Sequence, residues 1–162
     1  MSYELGLTKE SIEEFQKALQ AIGDKAKEAA TRGLGNAAVE LEGKVTKRVA
    51  ENSTDTGQYL QSISHEIEPL LSQVFATAAH APYVEFGTRA HRPPFKPIYE
   101  WAWRKRKDIG LKDKEVSGFA MAVVDKIARQ GTKPKHDWLH SIEEMQKDFV
   151  DIVMREVREA MK

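Results

Sequence analysis

The chain sets long stretches of helical period around one short stretch of alternating period. Ile12, Phe15, Leu19 and Ile22 recur every three to four residues, and Ser11 and Glu14 have capping-box spacing, which predicts a first helix. Gly23-Asp24 interrupts it. A second stripe, Ala26, Ala30, Leu34, Ala38, Leu41, Val45 and Val49, predicts a long helix from Asp24 to about Glu51. That helix holds Gly33, Gly35 and Gly43, each costing up to about 1 kcal/mol relative to alanine. Small residues kept along one stripe imply that another element packs closely there.

After the breaker cluster "ENSTDTGQY" the period falls to two. Ile63, His65 and Ile67 share one side of a segment, and Val74, Ala76 and Ala78 one side of the next. Two strands turning near Pro69-Leu70 are predicted. "APYVEFG" predicts a single helical turn with Pro82 near its start. "RPPFKP" then leads into an aromatic-basic helix, "IYEWAWRKRK". In "VSGFAMAVVDKIARQG", Phe119, Val123 and Ile127 mark another helix, with Gly131 as its C-cap. Beyond "TKPKHD", Leu139, Ile142, Met145, Phe149, Ile152, Val153, Val157 and Met161 form a continuous amphipathic stripe. It predicts one C-terminal helix over 137–161, with Asp137 at its N-cap. The expected fold is α+β: N-terminal helices over 8–51, a small antiparallel sheet and corner over 59–88, a basic loop–helix region over 89–136, and amphipathic helix to the end. All of it is expected to form one domain over 1–162.

Composition narrows the function classes. The chain has 162 residues, 31% of them charged and 41% hydrophobic, a soluble globular balance without an apolar run long enough for a membrane span. "MSYELGLTKESIEEF" lacks the basic start and apolar core of a secretory signal. There is no cysteine, which excludes thiol chemistry and fits assembly in a reducing cytoplasm. Net charge is formally zero but unevenly placed. Residues 1–88 carry 8 Lys and Arg against 13 Asp and Glu, residues 89–136 carry 13 against 5, and residues 137–162 carry 4 against 7. A basic middle between acidic ends reads either as a DNA-facing surface or as self-complementary electrostatics between subunits.

Candidate chemistry gathers in "YVEFGTRAHRPPF" and in its partial repeat, "GTKPKHDWL". A catalytic reading would pair Glu85 with His80 or His91, or use Ser62, Ser64 or Thr88 as nucleophile. The chain has no nucleophile elbow, phosphate loop or dinucleotide fingerprint. A metal reading would use His80, His91, His136 and His140; His136 falls outside the helix that begins at Asp137, and no HExxH is present. Neither an enzyme nor a cofactor or metal protein is expected. "WAWRKRK" sets Trp101 and Trp103 beside Arg104, Lys105, Arg106 and Lys107, which has the look of base stacking with phosphate contact. On a helix the two indoles do not share a face and the cations wrap around it. A DNA-binding accessory protein using residues 99–107 is therefore the second reading.

"DTGQYLQSI" (55–63), "HAPYVEFGT" (80–88) and "IARQGTKPKHDWLHSI" (127–142), in this order and spacing, resemble the tailed-phage neck or tail-completion family, the gene-product-ten-like tail components related to minor tail protein Z. His80 stands where that family commonly has tyrosine, and Asp137-Trp138-Leu139 replaces its usual arginine or proline followed by Phe-Leu. The resemblance implies a virion structural protein at the head–tail junction of a phage, prophage or phage-like particle, assembled in the host cytoplasm. It implies a ring, often sixfold, that contacts connector or adaptor and tail terminator or tube proteins and lets DNA pass. Asp55, Thr56 and Gly57 would turn the chain between long helix and sheet. Tyr83, Val84 and Phe86 would anchor a corner in the core, Glu85 would be a fixed acceptor for Arg89, Arg92 or a backbone donor, and Gly87, Thr88, Gly131 and Thr132 would make turns. Arg89, His91, Arg92, Trp101, Trp103, Arg104, Lys105, Arg106, Lys133, Lys135 and Trp138 would face a neighbouring subunit or the DNA channel; both remain open.

Overall fold

The computed structural model describes residues 2–3, 13, 15–17, 23–53, 55–146 and 148–162. The expected first helix lies mostly outside them, although Glu13 and residues 15–17 are helical. In chain order the elements are β1 (Ser2–Tyr3), α1 (Asp24–Asn52), α2 (Gln58–Gln61), β2 (Ile63–Glu68), β3 (Leu71–Ala76), α3 (Ala81–Phe86), α4 (Phe95–Lys105), a 3-10 turn (Asp113–Glu115), α5 (Val116–Gln130), α6 (Asp137–Met145) and α7 (Phe149–Ala160). This is an α+β fold, as expected. The chain groups into two compact units, Met1–Ala81 with His136–Lys162, and Pro82–Lys135.

The first unit is built on α1. Its inner face is Ala26, Ala29, Ala30, Gly33, Ala37, Ala38, Leu41, Val45 and Val49, all buried. α6, α7 and the sheet all pack against it. The glycines mark where the approach is closest. A Cβ at Gly33 would lie 2.8 Å from Val153 Cα of α7, whereas one at Gly43 would meet nothing within 4 Å. Ala26, Ala29 and Ala30 close around Val157, with Phe15, Leu70 and Ala160 at the margin. Asn36 donates to Glu156 of α7 at 3.1 Å, and Arg48 pairs with Glu144 of α6.

The sheet is antiparallel in the order β1-β3-β2, with Ile63 opposite Ala76, His65 opposite Val74 and Glu68 opposite Leu71. Glu68 and Leu71 are paired, so Pro69-Leu70 is a two-residue turn. Leu70 holds φ at +62, a region leucine rarely adopts. Two contacts hold it there: the Leu70 N–H donates to Thr31 Oγ1 at 3.2 Å, and its side chain packs on the alanine cluster of α1.

The C-terminal helix expected over 137–161 is two helices, because the chain turns between Met145 and Phe149. The Asp148 N–H bonds the Met145 carbonyl, and the Asp148 carbonyl then accepts from Ile152 to start α7. The break lets α6 and α7 each turn an apolar side to α1, Trp138 and Met145 from one, Ile152, Val153 and Val157 from the other. α6 starts at Asp137, with His136 in the left-handed N-cap position at φ +56, so Asp137 is the first helical residue and not the cap.

That shift gives Asp137 a different task. Its carboxylate is buried and accepts from Asn52 Nδ2 at 2.9 Å and Ser53 Oγ at 2.6 Å, at the end of α1. Beside it, Trp138 is 1% exposed and donates Nε1–H to Tyr59 Oη at 2.8 Å, so this indole is core and not the subunit- or DNA-facing residue expected. Tyr59 in turn meets the His80 ring edge-on.

Two outcomes are expected in denaturant unfolding. Gly33→Ala destabilises by about 1–3 kcal/mol through overpacking, whereas Gly43→Ala stabilises by up to about 1 kcal/mol. Asp137→Ala, which strands the Asn52 and Ser53 donors, costs about 1–3 kcal/mol, and Trp138→Phe costs about 1 kcal/mol or more.

Candidate functional site

The second unit is organised by the two similar segments. Gly87 and Gly131 both have positive φ, +69 and +71. The residues after them, Thr88 and Thr132, form an antiparallel bridge with both N–H···O bonds at 3.2 Å. Thr132 also donates its hydroxyl to Thr88 Oγ1 at 3.1 Å. A Cβ at Gly87 would lie 2.3 Å from the Thr132 carbonyl oxygen, and one at Gly131 would lie 1.9 Å from that of Thr88. Backbone therefore sits on backbone, and only glycine satisfies both the dihedral and the space at each position. Gly131 also ends α5, its N–H accepted by Ile127.

Further bonds tie the clasp to its surroundings. Lys135 N–H donates to the Val84 carbonyl at 3.0 Å, His91 N–H to Ile127 at 3.3 Å, and Arg92 reaches Asp125 of α5 at 3.3 Å. The expected roles in α3 are partly inverted. Ala81 and Glu85, four apart, face inward, Glu85 only 1% exposed; Tyr83 and Phe86, expected in the core, are 62% and 53% exposed. Helical spacing explains this, because i and i+4 share one face while Tyr83 and Phe86 share the other. Beside the clasp lies an open depression of about 490 Å³ lined by Tyr83 and residues 87–91.

α4 and α5 pack around Ala102, Val116 and Ala120, with Trp101 stacked on Phe119 at 6.2 Å. On another face Phe95, Tyr99 and Trp103 form a ladder at 5.7 and 6.2 Å, and the Arg106 guanidinium lies 4.3 Å from the Trp103 ring centre. Arg106 is also paired with Asp113 at 2.8 Å, and Lys105 lies 3.8 Å from Asp108. Arg106 and Lys105 thus have local carboxylate partners, which takes them out of an open phosphate-binding row. Arg104 lies on the exposed side of the helix, and Arg89, Lys133 and Lys135 are exposed around the clasp.

The groups considered for catalysis are dispersed. Ser62 donates to the Tyr59 carbonyl, His91 Nδ1 meets the Arg89 carbonyl, and Thr88 is engaged with Thr132. His136 and His140 approach at 6.2 Å, and His140 turns to Glu143, but no metal-holding group of three or more His, Cys, Asp or Glu occurs among the described residues. Asp55 and Thr56 are exposed, and Gly57 turns left-handed at φ +82 before α2. The clasp presents aromatic and cationic side chains at its surface. The likeness of the two Gly-Thr segments is legible in the sequence and is the signal for their contact, which the sequence alone does not show.

Residues 13–87 match the family described as "Bacteriophage HK97-gp10, putative tail-component". It is the tailed-phage family that the motifs resemble, and the match points to a phage tail component. The matched stretch contains α1 and the β2–β3 hairpin and ends on Gly87. No curated protein and no solved structure matches the chain.

Gly87→Ala and Gly131→Ala are expected to destabilise by about 2–4 kcal/mol each, since both add a left-handed penalty to a backbone clash. His91→Ala, on the exposed loop, stays within about 0.5 kcal/mol. Thermal unfolding and limited proteolysis of the three variants check this; equal behaviour would refute the clasp.

Proposed function

We propose that the chain is a structural subunit of the head–tail junction in a tailed phage, prophage or phage-like particle. In this reading it is a neck or tail-completion protein, acts as one functional subunit over residues 1–162, and forms a closed ring with other copies of itself. The ring, sixfold in the simplest form, joins connector or adaptor to tail terminator or tube and leaves a passage for DNA. Its work is mechanical and involves no catalysed step. The single observation that carries the reading is the match of residues 13–87 to a phage tail component.

Charge supports it. Residues 82–135 carry 13 Lys and Arg against 6 Asp and Glu, and the rest of the chain 12 against 19, so the two units have formal charges of +7 and −7. Ring contacts are heterologous and join two different patches, so opposite charges on one chain favour head-to-tail closure and disfavour like-to-like pairing. The sum of zero gives no long-range attraction to DNA.

Removing the gene from a producing strain is expected to leave filled heads and tails unjoined in negative-stain micrographs, with infectivity lost. Normal tailed, infectious particles would overturn the reading.

A further inference from the structure

The clasp of one copy and the β2–β3 hairpin of another have complementary surfaces. At the clasp, Tyr83 and Phe86 are more than half exposed beside the open depression. Arg89 and Lys133 follow directly on the two bridged threonines and are exposed, with no carboxylate partner among the described residues. Strand-pair geometry puts their backbones about 8 Å apart. The outer face of the hairpin offers the reverse. Glu66 and Glu68, both exposed and without a cationic partner among the described residues, lie about 7 Å apart along β2. Leu71, exposed, stands directly across the strand pair from Glu68.

We propose that in the assembled ring the hairpin face of Glu66, Glu68 and Leu71 docks on the clasp of the neighbouring copy, against Tyr83, Arg89 and Lys133. The inference rests on the ring reading above. Two carboxylates meet two cations at similar spacing, and Leu71 covers aromatic surface that is otherwise in water. Both surfaces are stiff: the hairpin by its two-residue turn bonded to Thr31, the clasp by backbone contact. Little ordering entropy is then lost on docking. A nucleic-acid strand would satisfy the cations, but the acidic hairpin would remain unpaired.

The absence of native cysteine makes the contact directly testable. Glu68→Cys and Arg89→Cys copies carrying different tags are co-expressed in cells that assemble the particle. A short bismaleimide is used, since residues joined by a Glu–Arg pair stand too far apart for a disulfide. The expected product is a heterodimer exceeding either homodimer. Separately, Glu66→Lys with Glu68→Lys lowers ring formation roughly 10- to 100-fold, and adding Arg89→Glu with Lys133→Glu to the same chain restores it. Circular dichroism, unchanged in both the two-residue and the four-residue variant, shows that the fold persists. Rings that form normally despite charge reversal, or that give no heterodimer, overturn this contact and leave the ring reading standing. Particles that lack the protein altogether overturn the ring reading and this contact with it. Loss of DNA retention in a gel shift by Arg89→Glu with Lys133→Glu, with ring formation intact, assigns the clasp to nucleic acid and overturns the inference.

Discussion

Backbone packed directly on backbone at Gly87 and Gly131 is the constraint from which the second unit follows. Thr88 and Thr132, 44 residues apart, exchange hydrogen bonds only because nothing but hydrogen stands on either preceding Cα. Everything between them is a closed loop. The entropy cost of closing such a loop grows only with the logarithm of its length, so a short clasp and one small cluster can offset it. That cluster is Ala102, Val116 and Ala120 between α4 and α5. Gly131 serves twice, ending α5 and seating the bridge, so helix length and loop closure are set by the same residue.

The first unit uses the same economy of side-chain volume on a larger scale. α1 buries alanine and glycine over its first half and Leu41, Val45 and Val49 over its second. Small residues bring α7 close enough for many weak contacts, which together replace the few large ones of a leucine-rich face. At the far end of α1 the device changes from size to hydrogen bonding. A buried carboxylate is costly unless its oxygens are satisfied, and Asp137 finds Asn52 and Ser53. The joint between α1 and α6 is thereby directional, which contacts between alanines are not.

Much of this was legible because period is local. α1, both hairpin strands and the turn at Pro69-Leu70 follow from spacing alone. The break after Met145 does not, because the apolar stripe runs through it in phase and no proline or glycine marks it. Residue type misled where context decides. Tyr83 and Phe86 look like anchors, yet a six-residue helix has too few positions for its period to say which face is inside. Trp138, just past the lysines of "TKPKHD", looks like surface, but its hydrogen-bond partner is Tyr59, 79 positions earlier. The clasp falls between these cases: its halves were visible as similar strings, while their contact depends on the path of the intervening chain.

The family match ends on Gly87, and that boundary has a physical consequence. The matched stretch cannot complete its own last turn. Thr88 takes its partner from Thr132, and Val84 accepts from Lys135, both contributed from beyond the match. The segment between those partners carries the whole positive excess of the chain. The clasp therefore closes the basic segment on itself through fixed backbone geometry. An open, flexible loop would present the same charges, but each docking event would then have to order them first. For a subunit whose proposed work is to be held between neighbours, rigidity within the clasp takes the place that a pre-organised pocket has in an enzyme.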